Sequence, residues 1–259
     1  MGPGKVLLVG AGPGDPGLLT LKALRAIETA TVVVYDRLIS DAIIELIPAG
    51  TARVCVGKQA RHHSVPQAEI CRMLVNLAKT NHLVVRLKGG DPFIFARGCE
   101  EAIALKRAGI GYEVIPGITA AQGCAAAARV PLTHRGLATG LRYVTGHCRD
   151  DEPLDLDWAG LADPNTTLVV YMGLANIDEI ACQLIAHGLP SDTPALAICQ
   201  GTTEWEQQLR VPLTRLPAMT RAAGFAGPVV FIIGRVAGIA SHQIREHNAA
   251  SERILEIVA

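Results

Sequence analysis

Short apolar runs alternate with segments of helical periodicity along most of the chain. The apolar runs are rich in β-branched residues, which favours strands that are covered on both faces of a sheet. The predicted strands are Lys5–Val9, Thr31–Tyr35, Arg53–Val56, Leu83–Leu87, Tyr112–Ile115, Leu141–Thr145, Thr167–Met172, Ala195–Cys199 and Val229–Ile233.

The segments between these runs place apolar residues three and four positions apart, which is typical of helices with one buried face. The predicted helices are Leu18–Thr29, Ala42–Ile47, Gln67–Lys79, Cys99–Arg107, Ile118–Ala128, Ala175–His187 and a polar tail from His242 onward. This alternation predicts an α/β fold with largely parallel sheets. The break at Pro116 and Gly117 predicts two α/β domains, residues 1–117 and 118–259, with a cleft between them.

Composition limits the partners of the protein. The 259 residues include 24 Lys and Arg against 24 Asp and Glu, and a net charge of zero argues against nucleic acid as a partner. No uncharged apolar stretch reaches the ~18 residues that a membrane helix needs, and the N-terminus shows no signal-peptide pattern. The seven cysteines are widely spaced and form no C-x-x-C pair. We therefore expect reduced thiols in a cytoplasmic protein.

One glycine-rich loop matches the sequence pattern of a dinucleotide-binding motif. Gly12, Gly14 and Gly17 match G-x-G-x-x-G after a predicted strand, and Asp36 ends the next strand. That motif binds a pyrophosphate through backbone N–H groups, which Pro13 lacks. An acidic residue, at position 15, also stands where the phosphates would go. The loop therefore suits a cationic or neutral ligand better than NAD(P), although an oxidoreductase stays as an alternative hypothesis.

Other loops at predicted strand ends are candidates for ligand contact, because ligands of such sheets bind beyond the carboxyl ends of the strands. Gly89 and Gly90 would let the backbone approach a ligand closely, and Asp91 suits a ribose hydroxyl or a cation. Plain β-turn chemistry explains the same residues equally well. His62 and His63 stand without a third ligand nearby, so we predict no metal site.

Five motifs in series carry a resemblance to a known family. They are VGAGPGDPG at 9–17, YDRL at 35–38, KGGDPF at 88–93, VIPGITA at 114–120 and PLTHR at 131–135. In this order and spacing they resemble the tetrapyrrole methylases. The resemblance covers residues from about Lys5 to Ala240.

The resemblance implies two α/β domains, a homodimer, and S-adenosylmethionine bound between the domains and released as S-adenosylhomocysteine. It implies neither a metal nor a nicotinamide. By the family pattern, the residues that contact the cofactor are Pro13, Gly89, Gly90, Asp91, Ile94, Thr119, Ala120, Met172, Gly201, Gly227 and Val229.

The activity implied is methyl transfer to ring carbons C2 and C7 of uroporphyrinogen III, giving precorrin-2. A later precorrin as the substrate, or a non-catalytic nucleotide sensor, are the alternatives. The substrate carries eight carboxylates, which arginines bind bidentately. The resemblance assigns substrate contacts to Arg37, Arg97, Glu100, Arg135, His147 and Met172, and catalytic roles to Arg97, Glu100 and Arg135. Since a guanidinium rarely deprotonates, we expect Arg97 to stabilise developing charge rather than to act as a base.

Overall fold

The computed structural model describes residues 4–57, 65–80, 83–147 and 154–239. Two compact units divide the chain, one of residues 1–123 with 202–204 and one of residues 124–201 with 205–259. The predicted helix from His242 onward and the pair His62 and His63 lie outside the described residues. No helix within the described ranges is long and apolar enough to cross a membrane.

The first unit alternates strands with helices, as its sequence pattern predicts. Its elements are β1 (Lys5–Gly10), α1 (Leu21–Thr29), β2 (Val32–Tyr35), α2 (Asp41–Ile44), β3 (Ala52–Cys55), α3 (Gln67–Lys79), β4 (Leu83–Lys88), α4 (Gly98–Arg107) and β5 (Gly111–Ile115). Helix α5 (Ala120–Ala127) contains the boundary between the units.

The first sheet has the strand order β3-β2-β4-β1-β5, and all of its pairs are parallel. Strand β1 is buried on both faces, which explains its continuous apolar sequence. Leu7 and Val9 belong to one core cluster together with Ile27 of α1. Leu8 belongs to another cluster together with Leu74 of α3. The carboxyl ends of β4, β1 and β5 therefore lie side by side at one edge of this sheet.

The second unit contains β6 (Gly140–Thr145), α6 (Trp158–Leu161), β7 (Thr166–Tyr171), α7 (Ile177–Ala186), β8 (Pro194–Cys199), β9 (Gln207–Pro212), α8 (Leu216–Ala223) and β10 (Val229–Ile233). Its core packs Phe231, which is fully buried, with Ile180 and Leu184 of α7. The sequence pattern missed β9 and α8. Strand β9 is polar and half exposed, since it lies at the edge of its sheet, and its sequence shows little apolar patterning.

The two α/β units confirm the predicted fold class, but the second sheet differs from the largely parallel order that we expected. Its strand order is β6-β7-β10-β8-β9, and only the β6–β7 pair is parallel. The pairs β7–β10, β10–β8 and β8–β9 are antiparallel. A short connection of residues 200–206 joins β8 to β9, and such a length permits only antiparallel neighbours.

Candidate active site

Three loops meet in backbone contact at the carboxyl edge of the first sheet. Gly12 and Gly90 exchange two hydrogen bonds, with N–O distances of 3.2 and 2.7 Å. Gly117 follows β5 and lies against both Gly10 and Gly90. Pro13 packs on α5, because a Cβ added at Gly123 would meet the Pro13 ring. The edge is therefore a close-packed backbone platform made by the loops after β1, β4 and β5.

The packing at Gly10 leaves no room for a side chain. A Cβ there would lie 2.5 Å from the Gly117 nitrogen and 2.6 Å from the Gly90 oxygen. We expect Gly10→Ala to cost about 1–3 kcal/mol and to lower the Tm by about 2–12 °C, measured by thermal unfolding. Gly111→Ala in β5 is the matched control, since nothing lies within 4 Å of its added Cβ. Equal Tm values for the two variants would contradict this packing.

Asp91 fastens two of these loops together. Its Oδ2 accepts a hydrogen bond from the Gly117 nitrogen at 3.1 Å, and its Oδ1 accepts one from the Phe93 nitrogen at 2.8 Å. Both oxygens keep a further lone pair that can accept a hydrogen bond from a ligand. Asp91 can therefore both stabilise a turn and contact a ligand, because the turn holds its carboxylate against the platform.

The loop after β1 uses its N–H groups within the protein. The Ala11 nitrogen donates to the Lys88 oxygen at 2.8 Å, and the Gly12 nitrogen donates to Gly90. The Gly17 nitrogen donates to Asp15 Oδ1 at 2.7 Å, where Asp15 caps a single 3₁₀ turn. A pyrophosphate would need such N–H groups to be available, so the structure supports the argument against a dinucleotide.

Arg97 and Glu100 form a two-point ion pair at the start of α4. Arg97 Nε lies 2.7 Å from Glu100 Oε1, and Arg97 Nη2 lies 2.9 Å from Glu100 Oε2. Both side chains are more than half exposed, which leaves the guanidinium accessible to an anionic ligand. The hydrogen bond to Glu100 raises the pKa of Arg97. The same bond lowers the pKa of Glu100, so both groups stay charged and Arg97 is poorly suited to act as a base.

Candidate residues of the second unit meet at one edge of the second sheet. Met172 directly follows β7, Gly201 lies just beyond β8, and His147 follows β6. Because β10 is antiparallel to its neighbours, its first residue, Val229, pairs with Cys199 at the same edge. Gly227 lies two residues before β10. The antiparallel order, which the sequence did not predict, is what brings the amino end of β10 to this edge.

The other two predicted arginines lie on different elements, one in each unit. Arg37 follows β2 at the carboxyl edge of the first sheet and is exposed. Arg135 is also exposed but precedes β6, inside the turn closed by the His134–Ala138 bridge. The amino end of β6 lies at the edge opposite to Met172, so strand position alone does not bring Arg135 to the candidate residues of that unit. Its assigned role stays a prediction.

Backbone strain concentrates at these loops. The non-glycine residues with positive φ among the described residues are Phe95, Arg97, Arg129, Met172, Gln200 and Thr202. All except Arg129 follow strand ends that carry candidate residues. Such conformations cost about 1–3 kcal/mol and persist where the surroundings enforce them, typically at functional sites. No sequence signal marks them, since the residue types are ordinary.

Two further features escaped the sequence analysis. Phe93 and Phe95, on either side of the predicted cofactor residue Ile94, are 51% and 40% exposed and add apolar surface beside Asp91. Arg86 and Lys88, on alternate positions of β4, are only 3% exposed. Charges at alternate positions of an otherwise apolar strand are the signal that would have found the second feature. No cluster of three or more His, Cys, Asp or Glu within the described ranges is placed to hold a metal ion.

Comparison with known proteins shows what the chain resembles. The model of the tetrapyrrole (corrin/porphyrin) methylases matches residues 5–217. A uroporphyrinogen-III C-methyltransferase of Paracoccus denitrificans is 56% identical over 239 residues, covering 92% of this chain and 83% of that protein. A sirohaem synthase of Methylococcus capsulatus is 51% identical over 91% of this chain. The chain spans 50% of that synthase's length.

A solved structure agrees with the sequence matches. The uroporphyrin-III C-methyltransferase of Thermus thermophilus, determined in complex with S-adenosylhomocysteine, has a TM-score of 0.76 at 40% identity. The match covers 91% of this chain and 100% of that one. The two-unit α/β architecture is therefore shared with an experimentally determined methyltransferase.

Proposed function

Because the chain belongs to the family of tetrapyrrole (corrin/porphyrin) methylases, we propose that it methylates uroporphyrinogen III at C2 and C7 with S-adenosylmethionine. The products are precorrin-2, formed by way of precorrin-1, and S-adenosylhomocysteine. The observation that carries the proposal is the 56% identity to a uroporphyrinogen-III C-methyltransferase over 92% of the chain. The exposed Arg97–Glu100 pair supports it, because the loop that contributes Gly90 and Asp91 to the platform also carries this group, which can bind an anion.

The platform suits a ligand such as S-adenosylmethionine. The N–H groups of Ala11, Gly12 and Gly17 donate within the protein, which leaves the loop after β1 poor in donors for phosphate. Gly90 has a φ of +66°, a conformation that glycine adopts without strain and that closes the loop after β4 onto the platform. Asp91 adds acceptors for an amine or a ribose hydroxyl. When bound, S-adenosylmethionine supplies a methyl group on a positively charged sulfur.

The chain's own residues would orient the substrate and hold its charges. Arg97 presents a fork of donors that matches a carboxylate of the substrate, and Glu100 fixes that fork in one orientation. Arg37 adds a second exposed cation at the same edge of the first sheet. The exposed Phe93 offers apolar contact to a macrocycle. An electron-rich pyrrole carbon needs no covalent catalysis by the protein, so the main contribution is to align this carbon with the methyl group. Such alignment lowers the activation free energy by up to about 7–11 kcal/mol.

An anaerobic assay tests the proposal. The purified protein is incubated with S-adenosylmethionine and freshly prepared uroporphyrinogen III, and the products are analysed by mass spectrometry. We expect two methyl additions to the tetrapyrrole, with two equivalents of S-adenosylhomocysteine released. No addition, together with tight binding of S-adenosylhomocysteine, would contradict the substrate and favour a later precorrin. Binding of NAD(P)H instead of S-adenosylhomocysteine would contradict the activity altogether.

A further inference from the structure

A buried charge cluster joins β4 to the first turn of α4. Arg86 Nε and Lys88 Nζ each lie 3.1 Å from Glu101 Oε1. The side chains of Arg86 and Lys88 are 3% exposed, and that of Glu101 is fully buried. Gln67 of α3 donates a further hydrogen bond to the same oxygen at 3.2 Å. One carboxylate oxygen therefore receives three donors from two strand positions and a neighbouring helix.

The cluster is incompletely satisfied. Glu101 Oε2 is buried and has no hydrogen-bond partner among the described residues. Burial lowers the pKa of Lys88, and the neighbouring Arg86 lowers it further, while Glu101 opposes both effects. Arg86 Nη2 also reaches Asp36 Oδ2, at the end of β2, over 3.4 Å. The cluster therefore buries charged side chains although one carboxylate oxygen has no hydrogen-bond partner among the described residues.

Stability is a weak explanation for such a cluster. Buried ion pairs recover their desolvation cost only with excellent geometry, and apolar residues of similar volume are often as stable or more stable. The neighbouring positions of β4, Val84 and Val85, are apolar and fully buried. Apolar residues in place of the whole cluster, at positions 86, 88 and 101 together, would therefore suit this part of the core about as well on energetic grounds. A role in arranging nearby residues explains the charges better.

The position of the cluster identifies what it arranges. Lys88 directly precedes Gly89, and Glu101 directly follows Glu100. The Lys88–Glu101 pair therefore connects the two ends of the segment 89–97, which we call the β4–α4 loop. Phe95 and Arg97 in this loop have φ values of 52° and 59°. Strained residues keep such conformations only where the surrounding structure over-determines them.

We infer that Glu101, held between Lys88 and Arg86, is a positioning residue that sets the first turn of α4 and thereby the Arg97–Glu100 pair. The inference rests on the proposed methyltransferase function. The other end of the β4–α4 loop is held separately, by the Gly12–Gly90 bonds and by Asp91 on Gly117. Loss of Glu101 should therefore affect the methylation step and leave the binding of S-adenosylhomocysteine nearly intact.

The Glu101→Gln variant keeps the shape and one acceptor but removes the charge. We expect kcat to fall about 10–100-fold, because small misplacements of orienting groups have effects of this size. The Kd of S-adenosylhomocysteine should stay within about threefold, measured by calorimetry, and circular dichroism should show a folded protein. Glu69→Gln is the matched control. Glu69 is also a first-turn glutamate, on α3, but it is 52% exposed and lies 3.6 Å from Arg72.

Measuring the same substitution in a second variant distinguishes a positioning role of Glu101 from a general effect on stability. In the Arg97→Lys background, adding Glu101→Gln should lower kcat by less than a further factor of about two. Two substitutions that act through the same residue are not additive. If Glu101→Gln does not fold, Lys88→Met/Glu101→Gln removes both charges of the pair and takes its place in the same measurements. A folded variant with wild-type kcat, or an equal loss in both backgrounds, would overturn the inference. Inactive wild-type protein would instead count against the proposed function.

Discussion

Arg97→Ala is expected to lose about 10²-fold in kcat, because removal of a group that orients the substrate misaligns the reacting atoms. Arg97 presents two donors in a fixed fork against Glu100, at 2.7 and 2.9 Å, and its raised pKa keeps it charged. The Kd of S-adenosylhomocysteine should change by less than about twofold, because the backbone bonds of the glycine platform do not involve this side chain. Single-turnover methylation of uroporphyrinogen III and calorimetry measure the two quantities.

Two further variants show how much of the loss in kcat is due to the Arg97 side chain. Arg97→Lys keeps the charge and loses the planar fork, so we expect an intermediate kcat. Arg107→Ala removes another exposed arginine from the last turn of the same helix, α4, and should leave kcat unchanged. Near-normal turnover of Arg97→Ala would remove Arg97 from the active site. A parallel loss in Arg107→Ala would attribute the effect to α4 in general.

Asp91→Ala is expected to weaken S-adenosylhomocysteine binding about 10–100-fold. The substitution removes the acceptor of the Gly117 and Phe93 nitrogens, and hydrogen bonds to a charged group contribute about 1.5–3 kcal/mol. Without them the loops after β4 and β5 lose the side-chain link that fastens the platform. Asp91→Asn keeps one of the two acceptor oxygens, so its loss should be smaller. Calorimetric titration with S-adenosylhomocysteine measures the affinities.

Asp157→Ala is the control for the loss of a local cap. Asp157 Oδ1 also accepts a backbone hydrogen bond, from Gly160 at 3.0 Å, and caps the short helix α6 in the second unit. Its removal should cost about 1 kcal/mol of stability and leave the affinity unchanged. If Asp91→Ala lowers only the thermal stability, as Asp157→Ala should, then Asp91 is a turn residue with no part in cofactor binding.

Local patterns predicted the elements of the first unit closely. The predicted strand Leu83–Leu87 is observed as Leu83–Lys88, and the predicted helix Gln67–Lys79 has the observed bounds. Such agreement arises because each of these strands carries an apolar run and each helix carries a clear stripe. The second unit shows the limit of this approach. Strand direction depends on which neighbours pair, and nothing local to Val229–Ile233 records that it pairs antiparallel with β7 and β8.

Some features of the candidate site could likewise be predicted from the sequence and others could not. Pro13 and Asp15 were enough to argue against phosphate binding, because a missing N–H and an unfavourable charge are properties of the residues themselves. The contact between Gly10 and Gly117, more than a hundred positions apart in the chain, is a property of the parallel pairing of β1 with β5. The burial of Glu101 between Arg86 and Lys88 likewise depends on α4 packing over β4.

The sequence by itself therefore determined the α/β class, the extent of most elements of the first unit, the family resemblance and the argument against phosphate binding by the loop after β1. These properties depend on periodicity and on single-residue chemistry, which are local. Only the tertiary structure decided the antiparallel pairing of the second sheet, the position of Arg135 before β6 at the sheet edge opposite to Met172, and the charges enclosed beside the β4–α4 loop. Those properties depend on which distant segments come into contact, and contact between distant segments is decided by packing of the whole chain.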